Sequence, residues 1–126
     1  MNFLIVFLGG GLGAVVRYIL TLIMPKMTYF PESTLCANFF GCFIATVVFV
    51  YLVSKSNADS AYKFFFITGF CGGLSTLSAL SLELLEYIHS GEYFRAFTYS
   101  LTTIFVCSMS VLLGLILTKY CIHIKL

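Results

Sequence analysis

Long apolar runs separated by short polar connectors constrain this chain more than any other feature of its sequence. The 126 residues are 60% hydrophobic and only 10% charged, whereas roughly a quarter of the residues in a soluble domain are charged. A helix needs about 20 mostly apolar residues to cross a bilayer. Four runs qualify, at about residues 2–24, 33–54, 61–88 and 93–122. We therefore predict an all-α membrane protein, with four transmembrane helices in a single domain over residues 1–126.

The third run is unusual because it concentrates glycines and hydroxyls in the segment GFCGGLSTLSALS, from Gly69 to Ser81. A continuous lipid-facing helix has no need of them. Non-helical backbone at membrane depth is tolerated only where protein or a water-filled cavity covers it, and the backbone groups freed by a broken helix can bind ions. We therefore expect a broken third helix with a functional site at the break. The residues of the break and its polar stripe are Gly72, Gly73, Ser75, Thr76, Ser78 and Ser81.

The basic residues give only a weak orientation signal. Four helices place both termini on the same side of the membrane. On that side lie Lys55, Lys63, Lys119 and Lys125, against Lys26 and Arg95 on the other, with Arg17 inside the first helix. The positive-inside rule then favours cytoplasmic termini slightly. A protein that inserts in both orientations shows the same weak bias.

Two polar residues stand within otherwise apolar runs. Arg17 is a costly charge in the membrane, which either extends its head to the interface or draws anions to a vestibule. Asn38 carries amide donors and an acceptor that need partners in hydrocarbon. It forms either a structural hydrogen bond between helices or a contact with an ion or with the broken helix.

The remaining reactive residues give no support for an enzyme. No catalytic triad, phosphate loop or metalloprotease motif is present, and the formal net charge of +2 does not indicate nucleic-acid binding. Glu83 and Glu86 are interpreted as ordinary charges near a helix end. The five cysteines have no metal-binding spacing, so we interpret them as small buried hydrophobes. They are Cys36, Cys42, Cys71, Cys107 and Cys121.

Several motifs, taken together and in this order, resemble those of the Fluc/CrcB fluoride channels. The segment Gly9–Tyr18 (GGGLGAVVRY) is similar to the family's first-helix motif, and Thr34–Gly41 (TLCANFFG) is similar to its TLxxNxxG motif. The segment Gly69–Thr76 (GFCGGLST) resembles GFCGGLTT in the third helix. Asp59 and Lys63 match a DxxxK pattern at the entry to that helix.

The resemblance implies a dual-topology, antiparallel dimer in a bacterial plasma membrane, carrying two narrow fluoride pores. It implies that Asn38 and Ser78 line the pore and that Arg17 lies in the vestibule. It also implies a structural sodium ion that does not permeate, held by the backbone carbonyls of Gly72 and Ser75. The anion pathway expected on this basis comprises Asn38, Thr76, Leu77, Ser78, Leu80 and Ser81.

One departure from the family pattern bears on function. The pattern TTFSTF carries two pore phenylalanines, and the matching residues here are Leu77 and Leu80. The edge of a phenylalanine ring carries partial positive charge and can face an anion, whereas leucine has no such quadrupole. The stripe formed by Thr103, Cys107 and Val111 in the fourth helix is also less polar than a fluoride path suggests.

Three explanations of the leucines remain open. The chain forms a working homodimer that tolerates leucine, or one half of a heterodimer whose sister subunit supplies the phenylalanines, or a non-conducting paralogue. The expected function is passive, fluoride-specific export that lowers cytoplasmic fluoride. A small proton-coupled multidrug exporter is the alternative from another class, but it needs a membrane-embedded carboxylate. The first three-fifths of the chain has only Glu32 and Asp59, both in connectors.

Overall fold

The computed structural model describes residues 2–24, 30–54 and 60–122, and its described elements are helical. The sequence predictions that involve Lys26, Lys55, Asp59 and Lys125 lie outside these residues. In chain order the elements are α1 (Asn2–Ile23), α2 (Glu32–Ser54), α3 (Ser60–Tyr62), the π-helix π1 (Lys63–Cys71), α4 (Gly72–Leu74), α5 (Leu77–His89) and α6 (Tyr93–Ile122).

The prediction of four membrane spans is confirmed. Four helical stretches are long and apolar enough to cross a bilayer, so the chain is a multi-pass membrane protein. They are Asn2–Ile23, Glu32–Ser54, Lys63–His89 and Tyr93–Cys121. Large apolar side chains such as Phe3, Phe94 and Ile116 point away from the rest of the chain, as expected for helices whose outer faces contact lipid.

The third segment leaves helical geometry at two hydroxyl residues and not at its glycines. Gly72 keeps helical dihedrals (φ −65°, ψ −33°). Ser75 (φ −75°, ψ 145°) and Thr76 (φ −149°, ψ 121°) are extended. We call Ser75–Thr76 the helix break. Because two short helices meet there end to end, the break exposes backbone groups in the middle of a membrane span.

Glycines bring α1 into direct backbone contact with the first half of the third segment. A Cβ atom on Gly9 would overlap the Phe65 carbonyl oxygen, and one on Gly13 would overlap the Phe70 carbonyl oxygen. From the other side, a Cβ on Gly73 would overlap the Gly10 carbonyl oxygen. Small residues allow this close approach of membrane helices. The interface therefore has no room for side chains at these positions.

The other side of the molecule is built differently, from side chains on α2, α5 and α6. The helices α2 and α6 run in the same direction: Ser110 Oγ donates to the Phe39 carbonyl at 2.6 Å, and Gly114 packs against Thr46 further along both helices. Gly91, with φ 77°, turns the chain between α5 and α6. Because that turn is short, α5 packs against α6 and the break faces both α2 and α6.

Candidate functional site at the helix break

A side chain from α2 accepts a hydrogen bond from the backbone of the break. Asn38 Oδ1 accepts from the Thr76 backbone N–H at 2.7 Å, and both residues are buried. Gly41 lies one turn further along α2, where a Cβ would stand 2.8 Å from Ser75 Cβ. The glycine therefore lets the break approach α2 closely enough for the amide to reach it. This bond is a hydrogen bond between helices and also a contact with the broken helix, so it agrees with both alternatives that the sequence left open.

Two backbone carbonyls at the break lose their usual helical donors. In a continuous helix the N–H of residue i+4 donates to the carbonyl of residue i. The Thr76 N–H, which would serve Gly72, donates to Asn38. The Ala79 N–H, which would serve Ser75, donates to Thr76 Oγ1 at 3.2 Å. The carbonyls of Gly72 and Ser75 are therefore among the oxygens that the break releases from the helical pattern.

The serines predicted for the break and its polar stripe lie on both sides of the break and have different partners. Ser75 Oγ donates back to the Cys71 carbonyl at 2.8 Å, and Ser81 Oγ donates to the Leu77 carbonyl at 2.9 Å. Ser78 Oγ lies 2.9 Å from Thr76 Oγ1, next to the cap of α5. These serines therefore do not share one helical face, because the extended residues change the direction of the chain between Ser75 and Ser78.

The break opens into a cleft of about 340 Å³ between α2, α5 and α6. Its walls are mostly apolar, with a few hydroxyls and one amide. The lining residues are Asn38, Ser75, Thr76, Leu77, Leu80, Thr103, Ile104, Cys107 and Ser108. Five of the residues predicted for the anion pathway or for the sodium site therefore meet in one place: Asn38, Ser75, Thr76, Leu77 and Leu80.

The two leucines that replace phenylalanines differ in their surroundings. Leu77 is 76% exposed, whereas Leu80 is only 8% exposed. Both line the cleft, but Leu80 is already packed inside this chain and Leu77 offers its side chain outward. A contribution from a neighbouring subunit would therefore meet Leu77 before Leu80.

Other predicted residues lie away from the cleft in this chain. Ser78 and Ser81 are exposed and do not line it, and neither does Val111. Gly72 is also exposed, and its backbone carbonyl is the only group by which it takes part in the break. Arg17 is half-buried on α1, on the side of the glycine interface.

A second polar cluster, which the sequence did not indicate, lies next to the cleft. Glu83 accepts from Thr34 Oγ1 and from the Tyr99 hydroxyl, both at 2.6 Å. Tyr99 is fully buried, stacks on Phe30 at 5.3 Å and meets the edge of Tyr87 at 6.0 Å. The interpretation of Glu83 as an ordinary helix-end charge is wrong, because two hydroxyls on two other helices donate to it. The cluster could not be predicted from the sequence because its three residues lie far apart along the chain.

The contacts of α2 with α6 repeat every fourth residue. Thr34 and Tyr99 share Glu83, and Asn38 and Thr103 line the cleft together. Since residues four apart lie on one face of a helix, the faces that carry Thr34 and Asn38 on α2 and Tyr99 and Thr103 on α6 are opposed along their length. Of the stripe predicted on the fourth helix, Thr103 and Cys107 line the cleft and Val111 does not.

Comparison with known proteins identifies relatives over nearly the whole chain. The family model "CrcB-like protein, Camphor Resistance (CrcB)" matches residues 4–115. A protein of Flavobacterium psychrophilum named "Fluoride-specific ion channel FluC" is 44% identical over 115 residues, covering 89% of this chain and 92% of the relative. A protein of the same name from Pyrococcus abyssi is 38% identical, covering 92% and 94% of the two chains.

A further relative carries a numbered name. The "Fluoride-specific ion channel FluC 2" of Nitrobacter hamburgensis is 33% identical, with 95% of this chain and 98% of the relative covered. The matched region includes α1, α2, the helix break and most of α6, so the sequence similarity extends over every element that forms the site. The four-span architecture, the motifs at the break and these similarities together show that the chain belongs to the CrcB family.

Proposed function

We propose that this chain is a subunit of a fluoride-selective channel through which fluoride leaves the cell passively. The observation that carries the proposal is the cleft at the helix break, where an amide and hydroxyls face apolar walls. The relatives named as fluoride-specific ion channels support it. The assignment to the CrcB family also favours a channel over the alternative of a multidrug exporter, and it is consistent with a transport protein that has no enzymatic activity.

Asn38 is the residue that we propose recognises the anion. Its Oδ1 is committed to the Thr76 N–H, which fixes the orientation of the side chain. The NH₂ group at the other end carries both amide donors and is the end that can replace water around fluoride. A narrow path that offers donors in place of the hydration shell selects for a small anion. Leu77 and Leu80 complete the path with apolar surface, which limits the access of water.

We further propose that the carbonyls of Gly72 and Ser75 hold a structural sodium ion. Their helical donors are bonded elsewhere, and carbonyl oxygens at a discontinuous membrane helix are typical sodium ligands. Two oxygens from one chain make an incomplete coordination sphere, which the same residues of a second subunit would extend. The ion would stabilise the assembly and would not itself permeate. Replacing sodium by N-methylglucamine should therefore lower both the melting temperature and the fluoride flux.

The assembly that we propose is an antiparallel dimer, either of two identical chains or of this chain and a sister subunit. A heterodimer would let the partner supply the aromatic rings that Leu77 and Leu80 lack. Fluoride efflux from sodium-containing liposomes that hold this chain alone distinguishes the two. Rapid fluoride loss with chloride retained would establish a conducting homodimer. A folded dimer without efflux would favour the heterodimer or the non-conducting paralogue, and restored efflux on adding a sister chain would select the heterodimer.

The substitution Asn38→Asp tests the role of the amide directly. Aspartate keeps an oxygen acceptor for the Thr76 N–H but replaces the two donors by a second oxygen and a negative charge, so fluoride loses its donors and is also repelled. We expect folded protein whose fluoride efflux falls on the order of tenfold or more, the loss of about one hydrogen bond to a charged group. Thr21→Val is the matched control, because Thr21 is an exposed residue of α1 that bonds only within its own helix. Unchanged efflux in Asn38→Asp would show that the amide does not serve the anion.

A further inference from the structure

A groove outside the functional site opens between α1 and the start of the third segment. It has a volume of about 420 Å³ and is walled by apolar and aromatic side chains. They are Ile5 of α1, Ala61 and Tyr62 of α3, and Phe65 and Phe66 of π1. None of these residues lines the cleft at the helix break. The groove is therefore a separate feature, on the face of the third segment that packs against α1.

The groove forms where the glycine contact ends. At Gly9 the two backbones touch, because a Cβ there would overlap the Phe65 carbonyl oxygen. About one turn earlier α1 carries the full side chain of Ile5, whereas contact between the backbones of membrane helices requires small residues. The helices therefore separate before Gly9. Phe65 and Phe66, whose rings pack edge to face with centroids 5.0 Å apart, border the gap.

The position of the groove along the membrane spans places it at one membrane surface. The helix α1 and the third segment run in the same direction, since successive glycines of α1 meet successive residues of π1. Both therefore begin at the same surface, and the third span begins at Lys63. Tyr62 is exposed and stands at the boundary between lipid tails and water, where tyrosine is enriched. The groove thus lies at the level where acyl chains meet headgroups.

A single cation stands at the outer end of the groove. Lys63 directly follows the wall residues of α3 and is exposed, and residues 2–8 and 60–71 include no other charged side chain. By contrast, the groove of about 350 Å³ at the opposite surface includes both Glu92 and Arg95, which form an ion pair at 2.8 Å. Of these two grooves, only the first combines apolar walls with a net positive charge on its own segments.

We propose that this groove binds one anionic phospholipid, with an acyl chain between α1 and π1 and the phosphate beside Lys63. An empty groove in a bilayer would forfeit van der Waals contacts along its walls, so a lipid chain fills it. Lys63 then selects the headgroup, because a lysine near the membrane surface attracts anionic lipids and its long stem lets the ammonium reach the phosphate. The helix break takes no part, so the site stands whether or not the chain conducts fluoride.

Native mass spectrometry of the purified full chain tests the site. The protein is freed of endogenous lipid in detergent, and phosphatidylglycerol or the zwitterionic phosphatidylethanolamine is then added at equal concentration. We expect one phosphatidylglycerol retained per chain and weaker retention of phosphatidylethanolamine. Equal retention of the two lipids by the wild-type chain would overturn the selection by charge and with it the proposal.

Lys63→Gln removes the charge and leaves the groove intact. It should lower the retention of phosphatidylglycerol about fivefold, the contribution of one basic residue near a membrane surface, and abolish the preference over phosphatidylethanolamine. Arg95→Gln is the matched control and should change neither, because Arg95 lies at the opposite surface and its charge is paired with Glu92. Phosphatidylglycerol retained equally by wild type and Lys63→Gln would overturn the proposal.

Ile5→Trp tests the groove itself. The larger side chain fills the space that the acyl chain would occupy, so the retention of both lipids should fall. Leu4→Trp adds the same group to the neighbouring residue of α1, which is exposed and does not line the groove, and it should retain lipid as wild type does. Equal retention in the two tryptophan variants would show that the lipid binds elsewhere.

A second copy of this chain is the other occupant that could cover the groove. In that case Ile5→Trp would lower the dimer fraction in the same mass spectra, Leu4→Trp would not, and the retention of phosphatidylglycerol would not depend on Lys63. That result would overturn the lipid site. If Ile5→Trp yields no folded protein, the comparison of Lys63→Gln with Arg95→Gln decides the proposal alone.

Discussion

The two sides of the third segment are built on opposite principles. Toward α1, glycines place backbone against backbone, and a single added carbon at Gly13 or Gly73 would overlap a carbonyl oxygen. Toward α2 and α6, hydrogen-bonding side chains span the space and leave a cleft of about 340 Å³. The backbone contact with α1 cannot be relieved by rotating a side chain. The contact with α2 and α6 is made of side chains, which can exchange hydrogen-bond partners.

The difference shows how a chain this short can keep a broken helix in a membrane. The glycine interface holds π1 and α4 firmly, so the break can occur at the end of a fixed element. The other side then only has to supply partners for the few backbone groups that the break frees. Asn38 and Thr76 supply two of them. One face of the third segment therefore packs rigidly against α1, and the opposite face carries the polar contacts.

The substitution Gly13→Ala should have the largest effect, because it breaks the rigid side. The new methyl group would meet the Phe70 carbonyl and the backbone of Leu74, which no side-chain rotation can relieve. We expect destabilisation at or above the upper end of the about 1–3 kcal/mol typical of overpacking. The yield of monodisperse protein and its melting temperature in detergent should both fall.

Gly11→Ala is the matched control, since nothing lies within 4 Å of the position that its Cβ would occupy. It should behave as wild type, or slightly better, because alanine favours a helix over glycine. Equal melting temperatures for the two variants would show that the glycine contact is looser than described.

Glu83→Ala should have the next largest effect, because it removes the acceptor at the centre of the polar side. Two hydroxyls donate to the carboxylate at 2.6 Å, and hydrogen bonds to charged groups contribute about 1.5–3 kcal/mol each. Because the Tyr99 hydroxyl is buried, we expect a loss of about 3 kcal/mol in the free energy of unfolding. Thermal melting of the purified protein measures it.

Glu86→Ala tests whether the effect is specific to that cluster. Glu86 is an exposed carboxylate less than one turn further along α5, where interactions of a charge contribute only about 0–1 kcal/mol, so its removal should cost clearly less than the removal of Glu83. Similar losses in both variants would indicate that charge near the helix end, and not the contacts with Thr34 and Tyr99, determines the result.

Thr76→Ala should have a smaller effect on stability, at the helix break itself. The hydroxyl accepts from the Ala79 N–H and caps α5, and loss of such a cap costs about 1 kcal/mol. Thr76→Ser keeps the oxygen and should recover most of the stability. Ser81→Ala, which removes a hydroxyl bonded only within its own helix, should be nearly neutral. A Thr76→Ala protein as stable as Ser81→Ala would show that the cap contributes nothing.

Much of the fold follows from local sequence, and the site follows less completely. The four spans are set by length and hydropathy, which require no knowledge of contacts. The position of the break was predicted only to within a segment, because glycine and hydroxyl residues both disfavour a regular helix. In the structure Gly72 and Gly73 remain helical and Ser75 and Thr76 do not. The glycines serve close packing, which depends on a partner helix.

The contacts that the sequence did not reveal are those between distant residues. Thr34 and Glu83 are separated by 49 positions, and neither residue type is unusual near the end of a membrane helix. The packing of α2 and α5 against α6 brings Thr34, Glu83 and Tyr99 together. Polar side chains four residues apart on two helices, Thr34 and Asn38 on α2 and Tyr99 and Thr103 on α6, are the signal that could have suggested it.

The hydrogen bond from the Thr76 N–H to Asn38 also fixes how far the second and third segments can move past each other. Asn38 is the acceptor, and its neighbours Ala37 and Phe39 have no side-chain oxygen. Sliding α2 by a single residue would therefore leave a buried backbone donor without a partner, at a cost of about 1–3 kcal/mol. The width of the cleft is set when the chain folds. A conduction path built on it would be expected to stay open continuously, with its selectivity determined by dimensions that do not change from one ion to the next.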